Sequence, residues 1–566
     1  MRFVFAAAFV LVTALIVRPS TVVHGQASGP LAWRGCGGGF ECATLVVPRD
    51  YDQPAAETIS LALIRLPAAD KARRIGSLFA NPGGPGGSGI EFVRAWARSL
   101  DNGIRDRFDI VGWDPRGIGE STPIICHDNL QALTSADPAP DSAAEFDALA
   151  AEYRAFATAC GARHGDLLAH LGTLDVARDL DGLRDAVGDE KLTYLGYSYG
   201  TEIGQAYAQL FPAKIRAIVL DGAVDLAQDP DQRALVQAAG FERALTNFLA
   251  DCRKRDCIAD HGDPGEAVKE LLRRVDAGPL PARGVDRQAR EGDVFLGLIT
   301  PLYQRAAWDL LGRAIEEALD GDAGRLVKLA DQYLGRHGDG TYGNEQEANF
   351  AVNCVDSGPS NLPTDWERFQ REAARFATIS PSFGAAVANG LTCANWPATP
   401  TPLGPVTGYA GPKLLVVSTT SDPATPYEWG ANVAAQLGAT LLTFGGDGHT
   451  AYTQDSCVDA IVDAYLIDLK LPASDPRCGN DEPIPAPVSV GGDTPTAPAT
   501  PTPAQPQADA PTATPPAVLS PATNAGLEAS RGQSRLVGTL LAGFGLVVVL
   551  IVAWAVVRPA LRRGRR

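Results

Sequence analysis

Leu192-Thr193-Tyr194-Leu195-Gly196-Tyr197-Ser198-Tyr199-Gly200-Thr201 reads as a short buried strand, a sharp turn and the start of a helix. The run Leu192 to Leu195 has a strand's composition, and Thr201 to Leu210 has helical periodicity. Between them, Gly-x-Ser-x-Gly sets small residues on either side of a serine. A turn this tight brings its flanks together, so the glycines keep them clear and the serine hydroxyl is lifted out of the sheet. The pentapeptide alone is a weak signal in a chain with 59 glycines; the strand before it and the helix after it give it weight.

Working outward, the same rhythm recurs. Thr44 to Val47, Ile59 to Ile64, Ser77 to Ala80, Asp109 to Trp113, Ile215 to Leu220, Lys413 to Val417 and Thr440 to Phe444 read as strands, and Leu174 to Val187 as a helix. Strands alternating with helices predict an α/β fold, a mostly parallel sheet flanked by helices. Residues 226–398 break the rhythm and are largely helical, which predicts a helical cap over the carboxyl ends of the strands, where open α/β sheets bind ligands. The hydrolytic core is then 27–225 and 399–478.

A reactive serine needs a base, and the expected order is Ser, then acid, then His. Three histidines follow Ser198. His261 and His337 fall in the cap. His449, in Gly445-Gly446-Asp447-Gly448-His449-Thr450, follows the last strand and is the expected base. Asp422, in Ser421-Asp422-Pro423, follows an earlier strand and would hold the imidazole tautomer; Asp221 is its rival and Asp447 a further alternative. Thr425 either orients the Asp422 loop by a hydrogen bond or is a turn residue before Pro426. The run Asn81-Pro82-Gly83-Gly84-Pro85-Gly86-Gly87-Ser88-Gly89 follows a strand and offers unobstructed backbone N–H groups for an oxyanion, the second donor being Tyr199. No Gly-Lys-Ser/Thr follows it, which excludes a phosphate loop. Asp114 and Arg116, in a Gly-rich turn, are a possible ion pair.

The chain has 566 residues and a formal charge of −17, which argues against nucleic acid as a partner. Met1-Arg2, the apolar run Phe3 to Val17 and the small residues near Gly25 to Ala27 predict a signal peptide over 1–26. Leu536 to Val557 lacks charge. At roughly 1.5 Å per residue it is about 33 Å long, enough to cross a hydrocarbon core of about 30 Å. The arginine-rich tail 558–566 would stay cytoplasmic, leaving the catalytic part outside, attached to the cell membrane by one helix. The Pro/Thr/Ala-rich stretch 479–535 reads as a stalk, extending on the order of 150 Å. Ten cysteines in an exported chain predict disulfides, and sequence order suggests Cys36–Cys42, Cys126–Cys160, Cys252–Cys257, Cys354–Cys393 and Cys457–Cys478. No spacing typical of zinc occurs, so no metal is expected, and the chemistry calls for no cofactor.

Taken together, these motifs resemble the secreted tripeptidyl aminopeptidases of the prolyl-iminopeptidase-like serine peptidases, in the α/β-hydrolase superfamily. The run Asn81 to Gly89 is similar to their HGGPG-type loop, with Asn81 in place of His. The runs Asp114 to Ser121, Gly196 to Thr201, Asp422-Pro423-Ala424-Thr425-Pro426 and Cys393-Ala394-Asn395-Trp396-Pro397 also match, over about Cys36 to Cys478. The resemblance implies an α/β-hydrolase fold, a triad of Ser198, Asp422 and His449, and oxyanion donors Gly84 and Tyr199. It further implies an exopeptidase acting on peptide substrates. Such an enzyme must pair a free ammonium group with carboxylates, for which Glu345, Glu347 and Asp356 are candidates. An esterase or lipase on the same triad is the first alternative, and a non-catalytic surface-binding protein the second.

Overall fold

The computed structural model describes residues 31–127, 129–357 and 360–488. The expected signal peptide, the apolar segment 536–557, the basic tail and the stalk beyond residue 488 lie outside the described residues. Among the described residues no helix is long and apolar enough to cross a membrane.

Ten strands form one sheet: β1 (Arg34–Gly35), β2 (Glu41–Pro48), β3 (Thr58–Leu66), β4 (Gly76–Asn81), β5 (Phe108–Trp113), β6 (Leu192–Tyr197), β7 (Ile215–Asp221), β8 (Leu415–Ser421), β9 (Thr440–Asp447) and β10 (Arg477–Gly479). Their order is β1-β2-β3-β5-β4-β6-β7-β8-β9-β10. The β1–β2, β2–β3 and β3–β5 pairs are antiparallel and the rest parallel. The eight strands expected from sequence all fall on strands of this sheet; β1 and β10, at its two edges, are two and three residues long, too short to carry a strand pattern.

Alternation builds the two faces. Phe79, Tyr194, Ile218, Leu220 and Val416 pack on one face beneath the helices Thr173–Ala186, Gly200–Leu210 and Tyr427–Leu437. Leu78, Ala80, Leu195, Val219 and Val417 point to the other, under Gly89–Trp96 and Ser456–Asp468. With both faces covered, the central strands are buried along their length and read as continuous apolar runs.

Between β7 and β8 the chain leaves the sheet for a run of helices, from Pro230–Arg255 to Leu391–Ala394. Much of this insertion has its own core, around Phe248, Leu271, Trp308, Leu311 and Ile315. It is seated on the sheet's carboxyl edge. Gly240 permits this close approach, since a Cβ there would lie 2.5 Å from Pro423 O, and Gln237 donates to Ala424 O at 2.7 Å.

All five disulfides join the cysteines paired by sequence order. The folded body runs further than the expected boundary at 478. Asn480 N donates to Gly445 O, Ser421 Oγ donates to Glu482 at 2.6 Å, and Val488 packs on Val224, Val236 and Trp429. Residues 479–488 therefore belong to the fold and not to a stalk.

Candidate active site

Parallel strands bring their carboxyl ends to one edge. The register pairs Asn81 with Gly196, Tyr197 with Asp221 and Ser421 with Asp447. The loops that follow carry Gly83, Ser198, Gly222, Asp422 and His449, which is how residues so distant in sequence meet.

Ser198 has φ +54°, a left-handed conformation in a non-glycine residue. Such strain costs about 1–3 kcal/mol and persists only where the surroundings enforce it. Here Ser198 N donates to Asp221 O at 2.9 Å, and Ser198 O accepts from Thr201 N at 2.8 Å and Thr201 Oγ1 at 2.6 Å. A Cβ at Gly196 would lie 2.2 Å from Gly200 O, and one at Gly200 would lie 2.9 Å from Asn81 O. Both glycines of the pentapeptide are thus sterically required. Ser198 is half-buried while its neighbours Tyr197 and Tyr199 are buried, and its hydroxyl makes no hydrogen bond among the described residues.

The Gly-rich loop lies directly against this turn. A Cβ at Gly83 would lie 2.5 Å from Tyr197 O, 2.9 Å from Ser198 Cβ and 3.1 Å from Tyr199 N. Asn81 Oδ1 accepts from Gly83 N at 2.9 Å and pins the loop's start. Among the described residues neither the Gly84 N–H nor the Tyr199 N–H has a protein acceptor, so both donors remain available.

His449 is almost wholly buried. Its Nδ1 lies 2.9 Å from each oxygen of Asp422. Asp422 in turn accepts from Ala424 N (2.9 Å), Thr425 N (2.8 Å), Thr425 Oγ1 (3.0 Å) and Thr450 N (3.2 Å). Thr425 Oγ1 also sits 3.2 Å from His449 Nδ1. Of the two readings of Thr425, the geometry has the hydrogen-bonded one. The imidazole is braced from the insertion as well: His449 N donates to Tyr303 O at 2.8 Å, and the two rings meet edge to face at 5.5 Å. A Cβ on Gly222, next to the carbonyl that holds Ser198 N, would lie 3.2 Å from His449 Cε1. The histidine ring thus lies against Gly222, the residue after the Asp221 carbonyl that binds Ser198 N. Nothing in the sequence marks Tyr303, whereas Gly222, directly after a strand, was a detectable signal.

The rival acids face elsewhere. Asp221 accepts from Ala451 N and from Tyr452 N at 2.8 Å, supporting the backbone after His449. Burial outweighs these bonds and pushes its carboxyl up to about 7. Asp447 accepts from Asn247 at 2.7 Å. His261 pairs with Asp320 at 3.0 Å, away from Ser198.

The three acids expected to meet an amine do not form one pocket. Glu347 spends its Oε1 on the N–H groups of Cys126 and His127. Asp356 accepts from Thr173 N at 2.8 Å and Thr173 Oγ1 at 2.5 Å. Both are committed because buried backbone donors on neighbouring segments must be satisfied. Glu345 differs: its Oε2 is buried with no hydrogen-bond partner, burial holds its carboxyl above the usual range, and its backbone packs on Gly86 of the glycine-rich loop. Asp114 and Arg116 also part company. Asp114 takes Ser88 Oγ (2.6 Å), Ile90 N and Glu120 N. Arg116, fully buried, makes a two-pronged pair with Asp179 at 2.8 Å each.

Comparison with known proteins places the fold in a family. A model of the alpha/beta hydrolase fold matches residues 77–456. Serine protease Hip1 of Mycobacterium tuberculosis is 40% identical over 511 residues, covering 83% of this chain and 96% of the relative. Carboxylesterase B of the same organism is 42% identical over 453 residues, 77% and 86%. Tripeptidyl aminopeptidase of Streptomyces lividans is 33% identical over 460 residues, 78% and 83%.

Proposed function

This chain belongs to the α/β-hydrolase family and is a serine hydrolase of the peptidase type, and from that premise we propose that it is an extracellular exopeptidase that cuts short peptides from free N-termini with Ser198 as nucleophile. The observation that carries the nucleophile assignment is the buried Asp422–His449 pair, whose imidazole lies against Gly222, the residue after the carbonyl that holds Ser198 N, with Ser198 itself in a left-handed turn. Asp422 accepts from Nδ1–H, which leaves Nε2 with a lone pair for the Ser198 proton. As Oγ attacks the peptide carbonyl, the proton passes to His449 Nε2 and the carbonyl oxygen becomes an oxyanion. The Gly84 and Tyr199 N–H groups face that charge. Collapse expels the amine, which takes the proton from His449 and leaves an acyl-Ser198. Water, deprotonated by the same imidazole, then releases the acid and restores the hydroxyl.

The preference for a free amine is supported by the tripeptidyl aminopeptidase relatives and by Glu345, whose orphaned buried oxygen would be stabilised by an ammonium group. An extracellular position on a membrane tether is supported by the apolar run 3–17 and by 536–557 with its basic flank.

Ser198→Ala should abolish both cleavage of a free-amine tripeptide anilide and labelling by a fluorophosphonate; a folded variant with undiminished cleavage would refute the assignment. The second reading, an ester hydrolase, is favoured by the Carboxylesterase B relative. Turnover of simple acyl esters or N-blocked peptides alone, with free-amine peptides left uncut, would select it.

A further inference from the structure

One helix of the insertion, Glu345–Asp356, reaches the glycine-rich loop directly and the Tyr199 side chain through Thr173. Near its start, Asn349 Nδ2 donates to Pro85 O at 3.0 Å, and the Glu345 carbonyl packs so tightly on Gly86 that a Cβ there would approach it to 2.1 Å. Asn349 is itself oriented by Asn353, whose Nδ2 donates to its Oδ1 at 3.0 Å. At the helix's last residue, Asp356 accepts from Thr173 N and Thr173 Oγ1. Thr173 Oγ1 lies 2.6 Å from the Tyr199 hydroxyl. With the threonine proton given to the carboxylate, the order is Tyr199 O–H to Thr173 Oγ1, then Thr173 O–H to Asp356 Oδ2. Thr173, Tyr199 and Asp356 are all buried. The approach of Asp356 needs Gly172, where a Cβ would lie 2.9 Å from Asp356 Oδ1.

Tyr199 follows Ser198 directly and its N–H is one of the two oxyanion donors in the reading above. Its side chain is a rigid arm fixed at the far end, so anchoring the hydroxyl limits rotation of the backbone that carries the N–H. Asn349 does the same for the loop that carries Gly84. We propose that the helix Glu345–Asp356 is a positioning element for the oxyanion hole, with Asn349 holding the Gly84 loop and Asp356, through Thr173, holding Tyr199. The inference rests on Ser198 being the nucleophile. It makes the rate of the chemical step depend on how the insertion is seated, without any of its residues touching the reacting atoms.

The test is Thr173→Val, Thr173→Ser and Asn349→Leu in the whole protein, assayed with a free-amine tripeptide anilide. A donor shifted by a fraction of an ångström loses part of the hundredfold or more that a full donor supplies, so kcat should fall about tenfold for Thr173→Val and for Asn349→Leu, with KM unchanged within about twofold. Binding of a peptide aldehyde, whose hemiacetal carries an oxyanion, should weaken by the same factor, and that of the matching peptide alcohol should not. Thr173→Ser keeps the hydroxyl and should restore kcat. Equal weakening of aldehyde and alcohol, a rise in KM at constant kcat, or a serine variant as slow as the valine one would each overturn the proposal. Ser198→Ala separates the two levels: if it is inactive while Thr173→Val and Asn349→Leu behave as wild type, only this inference fails; if it stays active, the nucleophile assignment and the oxyanion hole built on it fall together.

Discussion

Replacing Asp422 by Asn changes one atom and should cost about four orders of magnitude in rate. Every group around the carboxylate is a donor: Ala424 N and Thr425 N to Oδ1, Thr425 Oγ1 and Thr450 N to Oδ2, and His449 Nδ1 to both. An asparagine has a single acceptor oxygen, and two backbone N–H groups at Oδ1 claim it. Its NH2 must therefore take the Oδ2 position and face His449. With Oδ1 already shared by two backbone N–H groups and a donor now 2.9 Å from Nδ1 at the Oδ2 position, the imidazole is driven toward the tautomer with a bare Nδ1, which moves its proton to Nε2 and removes the lone pair that would accept from Ser198. Loss of the working tautomer in such triads costs about 10⁴ in kcat, or about 5.5 kcal/mol of transition-state stabilisation. The Thr450 N–H also loses its acceptor, which should lower folding stability by about 1–3 kcal/mol. The assay is kcat/KM on a free-amine tripeptide anilide, with the fluorophosphonate labelling rate of Ser198 and the melting temperature alongside. A folded Asp422→Asn protein within tenfold of wild-type kcat/KM would refute the assignment of Asp422 as the orienting acid.

Thr425→Val removes the 3.0 Å bond to Asp422 Oδ2 but leaves the backbone bonds in place; kcat should fall about tenfold and folding stability by about 1.5–3 kcal/mol, the scale of one hydrogen bond to a charged group, read as a lower melting temperature. Gly83→Ala drives a Cβ to 2.5 Å from Tyr197 O at a φ of +93°, and should cost about 3 kcal/mol or more in stability together with fluorophosphonate labelling; chemical denaturation with parallel labelling checks both. Asp221 titrates in the folded protein at about 7, against an ordinary 3.8, so the fold holds a proton that the unfolded chain has released. The stability from this group is fully present below about pH 4 and is lost as pH rises through 7, at most about 4 kcal/mol. Asp221→Asn should therefore lose less melting temperature than wild type between pH 5 and 8, and equal losses would contradict the burial argument.

Features that obey local steric rules were legible in the sequence, and features that depend on which donor ends up nearest were not. Gly196 and Gly200 follow from the turn itself, because any side chain there would strike Gly200 O or Asn81 O. The central strands were legible because both faces are covered, making each an apolar run. The order Ser198, Asp422, His449 was legible because parallel strands deliver their following loops to one edge, and the structure does bring Asp422 onto His449. Acidic residues gave no such purchase. Asp221 and Asp422 both follow strands, and only the register, with Asp221 beside Tyr197 and its carboxylate under Ala451 and Tyr452, separates them. Glu345, Glu347 and Asp356 share a helix and looked equivalent as partners for an amine. Buried backbone donors must be satisfied, and the N–H groups of Cys126, His127 and Thr173 take Glu347 and Asp356, leaving Glu345 with an oxygen still unpartnered. A carboxylate in this insertion is free for substrate only where no neighbouring helix or loop end has claimed it, and that depends on packing between segments hundreds of residues apart, which the local pattern of charge does not encode.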